Sequence, residues 1–304
     1  MAINRASIAK QLLPGLNAVF GIEYGEVADE YSVLFEVENS DRAFEEEVLF
    51  TGFGTAPVKG EGAAVQYDNA QESYTSRYTA ETIALAFSVT EEAMEDNLYD
   101  TFAKLRARGL ARSMANTKQT KAADVFNNGF NTSFTGGDGQ PMFSASHPTV
   151  GDGNQSNLIG SAGTVDLSEA ALETAMVSIQ TIKDDRGILV GGNAVSLHVA
   201  PNNQFTADRV LNSPYQPNTA DNNINAINHQ GMIPKGYMVN KRFQDADAFF
   251  IKTDVPNGAK MFVRAPLATK MEPDFDTGNL RFKARERYSF GWSDWRGYFG
   301  SQGA

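Results

Sequence analysis

Thirty residues, 52–81, carry only six large apolar side chains, Phe53, Val58, Val65, Tyr67, Tyr74 and Tyr78, spread around Gly52, Gly54, Gly60 and Gly62. A segment this poor in apolar groups buries too little surface to offset the entropy of ordering itself. Alternation begins where it ends, with Ile83, Leu85 and Phe87 separated by Thr82, Ala84, Ala86 and Ser88. Period two predicts a strand that enters the globular body, so the region reads as an extended hairpin with an anchored return strand. An isolated two-stranded hairpin is marginal in water. Unless it is disordered, it should lie against something else, and a neighbouring copy of the chain is the simplest candidate.

A long helix is expected next. Ser88-x-x-Glu91 fits a capping box, and Glu91, Glu92 and Glu95 put negative charge on the positive end of the helix dipole. Met94, Leu98, Phe102 and Leu105 recur at spacings of three and four, and Ala111, Met114, Ala115 and Ala122 carry the pattern to Phe126, before Asn127-Asn128-Gly129 stops it. Unbroken, such a helix spans about 55 Å, with Gly109 as the expected bend.

Charge is unevenly placed. Residues 23–47 hold ten acids against Arg42, whereas residues 101–123 hold Lys104, Arg106, Arg108, Arg112, Lys118 and Lys121 and no acid. These are either two solvated faces, or blocks that meet each other or, for the basic one, a polyanion. Two solvated faces is the favoured reading; between the two contact readings, pairing with the acidic block is preferred to a polyanion, with Glu45, Glu46 and Glu47 and Lys104, Arg106 and Arg108 as candidate contact residues between subunits.

Residues 127–165 contain eight glycines and almost no periodicity, a length of irregular chain that compact domains rarely tolerate without function or partners. An α/β module follows. Ser168-Glu169 opens an amphipathic helix with Leu172, Met176 and Ile179 on one face. A strand is expected at 194–200, a helix after Pro201, a polar loop at 212–231, and strands at 237–239, 248–252 and 260–263. Near the C-terminus Arg281, Lys283, Arg285 and Arg287 alternate with Leu280, Phe282, Ala284 and Glu286, which places four cations on one side of a strand. Six aromatics crowd residues 288–299, including both tryptophans, and read as a core or interface strand.

Composition narrows the function. The 304 residues are 41% hydrophobic and 21% charged, the usage of a folded globular chain, and no cysteine is present to form a disulfide, a zinc-thiolate site or a thiol nucleophile. A net charge of -11 has the wrong sign for adhesion to nucleic acid or anionic lipid through the whole surface. No apolar run approaches the roughly 18–20 residues of a membrane span, and the N-terminal apolar stretch is broken by Pro14-Gly15 and Asn17, so an unexported chain is expected. The histidines, His147, His198 and His229, have no metal-ligand spacing. Ser144, Ser146, His147 and Asp152 lie close in sequence without a nucleophile elbow, and local turn bonding explains them better. Gly187-x-x-x-Gly191-Gly192 follows a helix and lacks the Lys-Ser/Thr ending of a phosphate loop; Asp138 and Asp152 lack the ladder of a calcium loop. No catalytic, cofactor or metal site is expected.

Gly139-Gln-Pro-Met-Phe-Ser-Ala-Ser-His147-Pro148, Ala246-Asp-Ala-Phe-Phe-Ile-Lys252, and Phe275-Asp-Thr-Gly-Asn-Leu-Arg-Phe-Lys283 through Gly291-Trp292-Ser-Asp-Trp295-Arg-Gly-Tyr298, in this order and spacing, resemble the Mu-like major head subunit family of tailed-bacteriophage major capsid proteins. The resemblance covers nearly the whole chain. It implies the α+β Hong Kong ninety-seven capsid fold: an N-terminal arm at 1–47, an extended loop at 48–87, a peripheral domain with the spine helix at 88–166, an axial domain at 167–271, and a C-terminal strand at 272–304 returning to the peripheral domain. It also implies self-assembly as hexamers and pentamers into an icosahedral virion shell around double-stranded DNA in the bacterial cytoplasm. No cofactor is implied; partners would be a portal and scaffold or decoration proteins, with DNA met only through nonspecific interior contacts and no membrane. The fold's founding member crosslinks a loop lysine to a neighbour's asparagine. Lys59 lies near the expected loop tip beside Glu61, but no acceptor can be assigned among the many asparagines, and noncovalent cohesion is expected. Asn222 and Asn223 lie in the candidate axial loop. The alternatives are an encapsulin-like nanocompartment shell, disfavoured by the long arm, a soluble enzyme with no recognised site, and a nucleic-acid-binding module using residues 281–287.

Overall fold

The computed structural model describes residues 5–90, 92, 99–160, 162–216, 223–274 and 276–304. Helix α1 (Arg5–Glu26) and the single turn α2 (Tyr31–Leu34) precede strands β1 (Glu36–Asn39), β2 (Phe44–Phe50), β3 (Glu72–Thr79) and β4 (Glu81–Val89). The long helix α3 (Tyr99–Asn127) and two short strands, β5 (His147–Pro148) and β6 (Asn154–Gln155), come next. Then follow α4 (Glu169–Gln180), β7 (Ala194–Val199), α5 (Gln204–Asn212), α6 (Ala226–Gln230), β8 (Tyr237–Val239), β9 (Phe249–Thr253), β10 (Ala259–Pro273), β11 (Leu280–Trp292) and β12 (Tyr298–Ser301). Two four-stranded sheets run β1-β10-β11-β4 and β12-β9-β7-β8, while β2 and β3 form a separate hairpin.

One face of the first sheet is covered by α1 and α3. Leu16 and Phe20 of α1 and Ala103, Ala107, Leu110, Ala111 and Met114 of α3 enclose Phe282 and Ala284 of β11, with Ile83, Phe87 and Val89 of β4 at the edge. Ala103, Ala107 and Ala111 recur every four residues, a methyl-lined helix face that lets its neighbours approach closely. The expected stripe is therefore corrected. Leu105 stands two residues from this face and is 62% exposed, because close approach selects alanine over leucine at the contact. The helix start also differs, since Ser88 lies in β4 opposite Arg281 and the period-two burial of Ile83, Phe87 and Val89 carries the strand past it. Glu91, Met94 and Leu98 lie outside the described residues. α3 continues through Gly109 and ends at Asn127, where the asparagine-glycine signal placed its stop.

The second sheet carries α4, whose opening is the expected one: the Ser168 side chain accepts from Ala171 N. Leu172, Met176 and Ile179 pack on Leu197, Val199, Phe249 and Ile251. The polar loop expected at 212–231 contains α6, opened by Asn225, whose side chain accepts from the N–H groups of Ile227 and Asn228. Where α3 ends, Phe126 is fully buried and touches Phe35, Phe143, Phe243, Phe250 and Tyr298, so one ring ties the end of the helix to β9 and β12 of the second sheet.

Two stretches owe their form to buried polar groups. In the glycine-rich segment Asn157 Nδ2 donates to the carbonyls of Met142, Trp295 and Tyr298, and Asn157 Oδ1 accepts from Ser144 N. That fixes the amide's orientation, so His147 Nε2, 3.1 Å from the same Oδ1, carries a proton. His147 Nδ1 lies 2.6 Å from Asp138, and its ring stacks on Trp295 at 4.3 Å. The C-terminal stretch, expected as one strand, is two. β11 stays in the first sheet, Asp294 caps a three-residue turn, and β12 pairs with β9 of the second. The turn wraps Arg296, which is 3% exposed and donates to Asp185, Asp294 and the Lys183 carbonyl. A Cβ on Gly297 would lie 2.5 Å from Gly258 Cα, so only glycine permits the crossing. Residues 271 and 272, the expected domain boundary, both lie inside β10.

Arg296→Met leaves Asp185 and Asp294 unpaired in the interior. Breaking a buried pair in this way costs about 3–5 kcal/mol, and urea unfolding of the unassembled subunit should show that loss. An unchanged midpoint would refute the assignment.

Candidate assembly interface

The base of the hairpin is held by charge. Lys260 of β10, with only 5% of its side chain exposed, donates to Glu47 of β2 at 2.6 Å and pairs with Glu38 of β1 at 3.0 Å. Glu47 also accepts from the Ser293 hydroxyl, which in turn accepts from Tyr78 of β3 at 2.5 Å. Burial alone would push the Lys260 ammonium down, but its bonds to Glu47 and Glu38 outweigh that and hold it above its ordinary 10.5. Glu46 pairs with Arg77 across the hairpin, and Glu45 accepts from Ser40 Oγ. Because β2 begins at Phe44, all three glutamates belong to the hairpin rather than to a separate arm.

Beyond this base the chain projects. Thr51 and Gln71 close a neck, with Thr51 N and Oγ1 both donating to the Gln71 carbonyl. Between them Phe53 is 62%, Val58 101%, Val65 63% and Tyr67 93% exposed, and Phe50 at the end of β2 is 66% exposed. Lys59 and Glu61 are exposed beside the turn at Gly62, whose φ of +77° suits glycine. One clamp ties the segment back: Asp68 accepts from Gly54 N at 2.7 Å and from Arg186 Nη2 at 3.0 Å. The Gly54 N–H and the guanidinium hold this carboxyl below its usual range.

The charge blocks do meet, though through other residues than Glu45–47. Glu23 of α1, 10% exposed in its side chain, lies between Arg108 at 3.1 Å and Arg112 at 3.0 Å. Lys118 reaches buried Glu286 at 3.5 Å, whose carboxyl burial pushes up, and Lys121 pairs with Glu81. Arg106 donates to the Ser88 carbonyl; Lys104 is also engaged. On the second sheet's side Asn223 is exposed and its carbonyl accepts from Gln216 N, next to Tyr215 and Ile224, 54% and 60% exposed; Asn222 lies outside the described residues.

Among the described residues His147, His198 and Ser144 are tied into local structure. His147 is fully buried between Asp138 and Asn157, and Ser144 bonds locally. Burial, with Lys252 adding to it, pushes His198 down to about 3, so it is a neutral partner of Ser196. Among the described residues no cluster could hold a metal, and no helix is long and apolar enough to cross a membrane. A cleft of about 560 Å³ lies between the hairpin base and α3, with Glu81 and Lys121, which pair with each other, in its wall.

A family model described as "Phage capsid protein" matches residues 72–299, three quarters of the chain. The chain belongs to this phage capsid protein family. Its fold is that of solved shells. The procapsid protein of bacteriophage JBD30 superposes with a TM-score of 0.54 at 13% identity, covering 98% of this chain and 76% of that one. The capsid of an empty GTA particle gives 0.54 at 15%, covering 90% of each. A virus-like particle from Pyrococcus furiosus gives 0.51 at 9%, covering 95% and 98%. No curated protein matches the chain. The α+β Hong Kong ninety-seven-type fold and the major-capsid role expected from the motifs are borne out. The capsid protein is a structural protein, not an enzyme.

A folded pKa raised above the unfolded one contributes stability that is whole below the unfolded value and is lost as pH rises through the folded value. Lys260→Met should therefore unfold at lower urea than the parent near neutral pH, and the gap should shrink once pH passes 10.5. A gap that does not change with pH would show that packing, not the ion pair, holds the hairpin base.

Proposed function

We propose that this major capsid subunit self-assembles as hexamers and pentamers into the icosahedral shell that encloses the double-stranded DNA of a tailed phage. A portal and scaffold or decoration proteins complete the partner set, and assembly takes place in the host cytoplasm. The arm is assigned to residues 1–47, the extended loop to 48–87, the peripheral domain to 88–166, the axial domain to 167–271 and the returning C-terminal segment to 272–304. Since β2 starts at Phe44, the loop's first strand begins within the arm assignment. Lys59, Glu61, Glu46, Arg106, Arg108 and Asn223 are exposed candidates for contact with a neighbour.

The observation that carries this reading is the projecting segment, whose apolar side chains find no cover on their own chain. Burying a Val or Phe side chain is worth about 1.5–3 kcal/mol, so Phe50, Phe53, Val58, Val65 and Tyr67 on a neighbour supply about 7–15 kcal/mol. Association itself costs about 4–15 kcal/mol. One such contact is marginal, and a closed symmetric array that repeats it is not.

Electron microscopy of the chain expressed alone should show closed or tubular shells. Replacing residues 56–66 by a short Gly-Ser linker should leave soluble subunits, and shells boiled in detergent should run as a single band. A rigid, protease-resistant monomer at high concentration would overturn the reading; covalent ladders would overturn its noncovalent part.

A further inference from the structure

The first sheet has a second face, which α1 and α3 do not cover. Side chains at Arg281, Lys283, Arg285 and Arg287 point to it, since Leu280, Phe282, Ala284 and Tyr288 between or beside them are buried on the helix side. Four cations at two-residue spacing span about 20 Å. Register adds to the charge: Lys283 lies opposite Lys270 of β10, and Arg285 opposite Ala268. On the other flank Ser88, Ala86, Ala84 and Thr82 of β4 face the four cations in turn. Arg281 is paired with Asp274, and Lys270 with Glu272. Lys283, Arg285 and Arg287 have no ion pair among the described residues.

In a chain of net charge -11, the acids that meet this face's cations are Glu272 and Asp274, one paired with Lys270 and the other with Arg281. The face also lacks anchors. Protein interfaces gather aromatic and large apolar side chains and are depleted in lysine, whereas here the neighbours of the cations are alanine, serine and threonine. Exposed aromatics sit elsewhere, among them Phe50, Phe53, Tyr67, Phe205 and Tyr215. A flat, cationic, anchor-free surface suits a polyanion that is bound by its charge rather than by shape. We infer that the β11 face is a contact surface for the phosphate backbone of nucleic acid and is the side of the subunit turned to the shell interior. The inference rests on the shell reading above for its orientation, and on the sheet alone for its chemistry.

Each phosphate contact contributes about 0.9 to the slope of log affinity against log salt for duplex DNA. Full-length unassembled chain, titrated with a short fluorescent duplex across a salt series, should lose about two from that slope in the double variant Lys283→Gln/Arg285→Gln. The equally neutralising control Lys235→Gln/Lys241→Gln should keep the parental slope, as should the charge-preserving Lys283→Arg/Arg285→Lys. With no variant at all, duplex should protect Lys283 of the parent chain from amine acylation. Equal slopes for the β11 variant and the control, or an unprotected Lys283, would overturn the inference. So would normal duplex affinity with failed shell formation in the β11 variant, which would assign the face to a second copy. Absence of shells from the parent chain with the slope change intact would instead strike the shell reading.

Discussion

Lys260 stands where β1, β2 and β10 meet, and its ammonium is almost completely withdrawn from water. A lone buried cation is costly; two carboxylates from two different strands make this one tolerable. In satisfying it, Glu38 and Glu47 fix where the chain leaves the sheet and enters the hairpin, and Ser293 and Tyr78 extend the same network to β11's end and to β3. The direction in which residues 51–71 project follows from this junction. A hairpin with few apolar groups is aimed by a polar contact because it has no core with which to aim itself.

The rest of the subunit separates cohesion within the chain from cohesion between chains. Inside, methyl-lined α3 draws α1 and the first sheet together, and the Phe126 cluster joins that layer to the second sheet. Outside, large apolar side chains are left on the projecting segment, on α3 at Leu105 and near Tyr215 and Ile224. Cations follow the same division. Arg108, Arg112 and Lys118 are spent on acids of their own chain, whereas Lys283 and Arg285 face solvent on the open side of the sheet. Such a molecule is stable as a body and incomplete as a surface, which is the condition a shell subunit has to meet.

Much of this was legible before any coordinates. Ser168 at the head of α4, the stop after Phe126, the strand at 194–199 and the alternation from Leu280 to Arg287 are each set by local chemistry, capping or period, and each occurs where that chemistry placed it. Leu105 misled because hydrophobicity suggested the buried face while close packing chose alanine. The partners of Glu45–47 within the chain could not be read, because charge blocks along a chain do not say which members meet. Asp138, His147 and Asn157 were unreadable as a unit, since their partners Trp295 and Tyr298 lie more than a hundred residues away.

Sequence alone settled that this chain has a projecting segment unable to fold by itself, a long helix beside it, and a strand with four cations on one side, because composition and period are properties of neighbouring residues. Only the tertiary structure decided which acids meet which bases, that the C-terminal stretch divides between two sheets around Arg296, and that the cationic side of β11 is the uncovered one. Those outcomes depend on groups brought together from distant parts of the chain, where burial turns a polar side chain from a free choice into an obligation to find a partner.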